Sequence, residues 1–100
     1  MIQLTFLDNY TTMKTITENS VISLMQRNYG NETIAERCEK LQEEISELIE
    51  SVSESHTTEA IKGEIADVYS VIIDIADRYG LHLEDVARMT ITKHKERGNG

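Results

Sequence analysis

Five acidic side chains in two short stretches carry the chemistry of this sequence: Glu43, Glu44 and Glu47 in "KLQEEISELIE", and Glu64 and Asp67 in "GEIAD". Glu44 with Glu47, and Glu64 with Asp67, stand three residues apart, a spacing that puts two carboxylates on one helix face within a few ångströms of each other. On a helical wheel Glu44 and Glu47 hold the same offsets from the stripe Leu41, Ile45, Leu48 and Val52 as Glu64 and Asp67 hold from Ile61, Ile65, Val68 and Ile72. The acids are therefore expected to flank a core on two matching helices. Laid antiparallel, those helices would bring four negative charges into one partly desolvated cleft, where carboxylates repel or take up protons unless a cation relieves them. A hard divalent cation suits an all-oxygen box, and Mg2+ with several retained waters suits it better than a soft metal. Acids at helical spacing are usually a solvated face; the shared phase on consecutive helices is what favours a magnesium site between them.

The elements that must position these acids can be read from the rest of the chain. At 100 residues it is one small domain, and a domain of about this size hides only about two thirds of its unfolded surface, so a partner subunit is expected. Leu, Ile, Val and Met are plentiful and Pro and Trp are absent, which favours uninterrupted helices. The fold class expected is all-α, a bundle of four to five helices. Residues 1–17, rich in Thr and without a clear period, fit either a short strand or an arm. "ENSVISLMQRNY", residues 18–29, suits an amphipathic helix closed by Gly30. In "TIAE" Thr33 and Glu36 form a capping box for a helix reaching about Ser53. "SESHTT" reads as a loop, and Thr57 or Thr58 caps a third helix that runs past Ile72 and Tyr79 to Gly80. A last helix has Glu84 and Asp85 at its N-terminus and Lys93, Lys95 and Arg97 at its C-terminus, each sign matched to the helix dipole. The helical domain so defined spans residues 18–97, with a frayed tail at 98–100.

Composition excludes several function classes. A formal charge of −8 argues against binding a nucleic-acid polymer, which draws affinity from Lys and Arg; small anions accompanied by a cation remain open. Cys38 is the single cysteine, no Cys/His cluster has zinc spacing, and the cytoplasm is the expected compartment. No apolar stretch approaches the roughly 20 residues that cross a bilayer, so no membrane partner is expected. Neither GxSxG nor GxxxxGK[ST] occurs. His56, His82 and His94 are dispersed and read as exposed or locally bonded, and Cys38 as a small core side chain; Met25, Tyr29, Tyr69 and Tyr79 could stack on a base, but at helical spacing such residues are more often core. Gly63, within the third helix, costs about 1 kcal/mol relative to Ala and reads as tolerated rather than as the seat of a close helix approach.

Taken together, "EEISE" followed by "EIAD" resembles the EExxE and ExxD signature of the MazG-like, all-α nucleoside triphosphate pyrophosphohydrolases. The resemblance covers about residues 18–97, and it includes Lys40 just ahead of the acids and Lys93 and Arg97 on the last helix, where that family carries basic residues that meet the triphosphate. It departs in "KHKER", which lacks the family's frequent Asn. The resemblance implies hydrolysis of a nucleoside triphosphate to the monophosphate and pyrophosphate in a homodimer or homotetramer. It also implies Mg2+, or alternatively Mn2+, on Glu44, Glu47, Glu64 and Asp67, with Glu43 as a further ligand or as the group that activates water. Little sequence is spare for a base pocket, which falls to helix one or a neighbouring subunit. The alternatives are a narrower enzyme for dUTP, dCTP or phosphoribosyl-ATP, and a noncatalytic acidic module whose apolar stripes pair with a partner helix.

Overall fold

The computed structural model describes residues 18–98, which are all-helical with no strand among them. Helix α1 covers residues 18–29, α2 Ile34–Ser53, α3 Thr58–Arg78 and α4 Leu83–Glu96. The expectation for residues 1–17 lies outside the described residues.

Local chemistry explains each boundary. At the start of α2 the capping box forms in both directions: the Glu36 N–H donates to Thr33 Oγ1 at 3.1 Å, and the Thr33 N–H donates to Glu36 Oε1 at 2.8 Å. That backbone donor holds the Glu36 carboxyl below its ordinary value. Thr57, rather than Thr58, caps α3 by accepting from the Ala60 N–H at 3.2 Å. Gly80, at φ 71°, carries the chain out of α3 in the left-handed region where glycine is unstrained. At the start of α4 the His82 N–H donates to Asp85 Oδ2 at 2.9 Å.

Helices α2 and α3 pack antiparallel in a single register. Arg37 meets Asp74 at one end, and two turns further along α2 Glu44 and Glu47 meet Asp67 and Glu64. Helix α1 is tied on through Gln26, which donates to Asp77 at 3.1 Å, and through Arg78, which donates to the carbonyls of Tyr29, at 2.9 Å, and Glu32. Helix α4 does not pack along α2 or α3; its first N–H, from Leu83, donates to Glu18 at 3.3 Å.

The core differs from the expected stripes. Of the stripe residues Leu41, Leu48, Ile61 and Val68 are half-buried and Ile45, Val52, Ile65 and Ile72 exposed, whereas the fully buried residues among those described are Met25, Val71 and Ile73 together with Arg37, Glu44, Ser51 and Asp74. The acids do not flank the core; Glu44 lies inside the seam. The apolar faces of α2 and α3 are broader than one helix–helix contact can cover, so Ile45, Ile49, Val52, Ile65 and Ile72 are left facing outward. Two further expectations fail because those residues sit on the outer faces: Cys38 is exposed rather than core, and so are Tyr69 and Tyr79.

Candidate metal centre

The seam brings Glu44, Glu47, Glu64 and Asp67 together. Each contributes a carboxylate oxygen, and these four oxygens lie within 4.8 Å of one another. Glu44 is buried, Glu64 half-buried, and Glu47 and Asp67 are exposed at the mouth. The pairings follow from the i, i+3 spacing on each helix and the antiparallel register between them.

The charge here is only partly compensated by the protein. Lys40 is the cation at hand, with Nζ 3.1 Å from Glu44 Oε1 and 3.9 Å from Glu43 Oε2. The hydrogen bond and charge of Glu44 raise the Lys40 pKa. Repulsion from Glu44, a shared hydrogen bond with it, and the nearby Glu64 raise the Glu47 carboxyl, against a smaller opposing effect of Lys40. Glu44 Oε2 and Glu64 Oε2 are buried without a hydrogen-bond partner. Buried carboxylate oxygens are normally satisfied, and an oxygen-ligating cation would satisfy both, so the residues present fit the hard divalent cation that the sequence implies.

The other sequence-nominated residues are placed differently. Glu43 points to solvent, with its side chain 68 % exposed, and does not join the cluster. Lys93 lies on the exposed α4 and Arg97 caps its C-terminus, away from the packed α2–α3 pair. His56 is locally bonded as expected, 3.0 Å from Ser51 Oγ and 3.0 Å from Glu54. A Cβ on Gly63 would meet open space, so this glycine serves no close approach.

The family model of the MazG nucleotide pyrophosphohydrolase domain matches residues 32–100, which include all four clustered acids. The chain belongs to the MazG family. No curated protein and no solved structure matches it.

Beside the acids of this MazG domain lies a cleft of ≈ 130 Å³. Met25 and Tyr29 of α1 and Val71 of α3 wall it, Lys40, Glu44 and Asp67 stand along it, and Ser70 and Arg37 complete the lining. Arg37 is 1 % exposed: Nε donates to Asp74 Oδ2 at 2.6 Å, one Nη to Glu32 Oε1 at 3.2 Å, and the guanidinium lies 4.3 Å from the Tyr29 ring centroid. Asp74, 2 % exposed, also accepts from Arg78 at 3.2 Å. A signal for this pair existed. Arg37 precedes Glu44 by seven residues and Asp74 follows Asp67 by seven, two helical turns in the same phase, so opposite charges recur where the register would bring them together.

Proposed function

We propose that the protein hydrolyses nucleoside triphosphates between the α and β phosphates, releasing the monophosphate and pyrophosphate, with Mg2+ held by Glu44, Glu47, Glu64 and Asp67. The observation that carries this reading is the four-carboxylate cluster with two orphaned buried oxygens, in a domain of a nucleotide pyrophosphohydrolase family. Bound there, the cation would neutralise phosphate charge and acidify a water, which is most of what phosphoryl chemistry asks of a protein. The chain's own residues do the rest. Lys40, now tethered to Glu44, is close enough to the cluster to turn its ammonium to a substrate phosphate. Glu43, solvent-facing at the edge of the site, is the candidate to take a proton from the attacking water.

Lys93 and Arg97 fit the same reading through a second copy of the chain. Helix α4 leaves Val86, Met89 and Ile91 exposed, as α2 and α3 leave Ile45, Ile49, Val52, Ile65 and Ile72. Burying those faces against each other in a homodimer or homotetramer would carry the basic end of α4 toward a neighbour's acids, and would recover about 25 cal/mol per Å² of apolar surface.

Pyrophosphate release from a panel of ribo- and deoxynucleoside triphosphates, with Mg2+, with Mn2+ and with EDTA, tests the activity. Release that needs the cation and is lost in Glu44→Gln is expected; release that survives EDTA, or none from any triphosphate, contradicts it. Mixing inactive Glu44→Gln with inactive Arg97→Ala tests sharing of the site, since regained turnover in the mixture requires one copy to supply acids and another the arginine.

A further inference from the structure

We infer that the cleft beside the acids is a nucleobase subsite built within one chain, and that Arg37 makes it select bases carrying a carbonyl, rather than an amino group, on the edge opposite the sugar. The inference rests on the nucleotide reading above. Its starting point is the unequal satisfaction of a buried guanidinium. Nε and one Nη of Arg37 are held by the carboxylates of Asp74 and Glu32, but the other Nη, which faces Met25, has only the thioether sulfur at 3.6 Å. A thioether is a weak acceptor. A buried cationic N–H without a strong acceptor is a costly group that a carbonyl oxygen would satisfy.

The position of Arg37 suits that role. It stands two turns from Glu44 along α2, about 10 Å at 1.5 Å per residue, comparable with the reach of a nucleoside from its 5′ phosphate to the far edge of its base. With the phosphates at the acids, the base enters between Met25, Tyr29 and Val71, apolar or aromatic walls against which a flat ring packs. The Ser70 hydroxyl donates to the Asp67 carbonyl at 2.9 Å, so the donor at the deep end is Arg37. Asp74 and Glu32 neutralise Arg37 and fix its plane, which leaves it a directional donor rather than a phosphate-binding charge. An amino group on C4 of a pyrimidine or C6 of a purine would set donor against donor. The same position holding a carbonyl completes the bond.

Two readouts separate this inference from the activity on which it rests. The first is kcat/KM for uridine against cytidine triphosphate and inosine against adenosine triphosphate, with base-free ribose 5′-triphosphate as the reference. The second needs no turnover: affinity of the four monophosphates, followed by the Met25 methyl resonance. The carbonyl member of each pair is expected to be favoured at least tenfold in both, and to move the Met25 signal. In Arg37→Lys, which keeps a charge for Asp74 but loses the second N–H, the preference should fall to within about twofold. Equal or reversed preference in the wild-type protein, or a Met25 signal unmoved by every monophosphate, overturns the subsite while pyrophosphate release from ribose 5′-triphosphate leaves the activity standing. Should no triphosphate be cleaved, the activity fails and the monophosphate affinities still decide the cleft.

Discussion

The two ends of the α2–α3 seam use the same geometry with opposite electrostatic outcomes. At one end Arg37 and Asp74, both almost fully buried, pair at 2.6 Å, and Arg78 and Glu32 complete the charge balance. Two turns away four carboxylates share a space within 4.8 Å with Lys40 as the cation beside them, and two of their oxygens are buried without partners. The compensated end holds three helices together. The other end, where one lysine faces four carboxylates, stores repulsion that a ligand can relieve. A chain that keeps such repulsion within two turns of a balanced pair spends stability there, as active sites commonly do.

Breaking the compensated end has the largest expected effect. Asp74→Ala takes from the buried Arg37 its closest partner and leaves it Glu32 alone, and removal of one partner from a buried ion pair costs roughly 3–5 kcal/mol, a large part of the 5–15 kcal/mol typical of a domain. Urea unfolding monitored by helical circular dichroism should show a lower midpoint with a similar slope. An Asp74→Ala protein as stable as the wild type would remove the first half of the comparison.

At the acid end the sign should reverse. Glu47→Gln removes repulsion from Glu44 and Glu64, so without divalent cation this variant should melt above the wild type, and with Mg2+ it should lose that lead. Differential scanning calorimetry in EDTA and in Mg2+ checks both arms. A lower midpoint in EDTA would show that the acids stabilise the free protein.

The pH dependence follows from the raised Glu47 carboxyl. Because its folded pKa lies above its unfolded value, the folded protein binds more protons, and this group's contribution to stability falls as pH rises from the unfolded pKa through the folded one. Melting midpoints in EDTA should rise on mild acidification through the window just above the ordinary carboxylate value. Mg2+ must displace that proton, so its affinity, measured by calorimetry, should fall over the same window.

Much of this organisation was legible in the sequence. The caps at Thr33 and Thr57, the stop at Gly80 and the phase of the four acids all depend on residues a few positions apart, and local chemistry is readable locally. The burial pattern was not. Ile45, Val52, Ile65 and Ile72 looked like core because periodicity reports an apolar face without saying what covers it, and here the seam leaves that side of each stripe uncovered. The Arg37–Asp74 pair was missed because it joins residues 37 positions apart, and only the antiparallel register, once known, makes them neighbours. The cleft needs α1 as its third wall; helix one was one expected source of a pocket, but no spacing within α2 or α3 says where along the seam it closes.

The smallest effect distinguishes the seam from its surroundings. Gly63→Ala adds a methyl group into open space on α3 and should raise stability by about 0.5–1 kcal/mol through helix propensity and the unfolded chain. A loss of stability on urea unfolding would mean that something packs against this glycine.

The central claim, that the acid end is built for a divalent cation, is tested most directly by the melting midpoint of the wild-type protein and of Glu44→Gln/Asp67→Asn as Mg2+ is titrated. Binding to the folded state alone stabilises by RT ln(1 + [L]/Kd), so the wild-type midpoint should climb with log concentration while that of the double variant stays flat. A wild-type midpoint indifferent to Mg2+, or an equal climb in both proteins, would contradict the account.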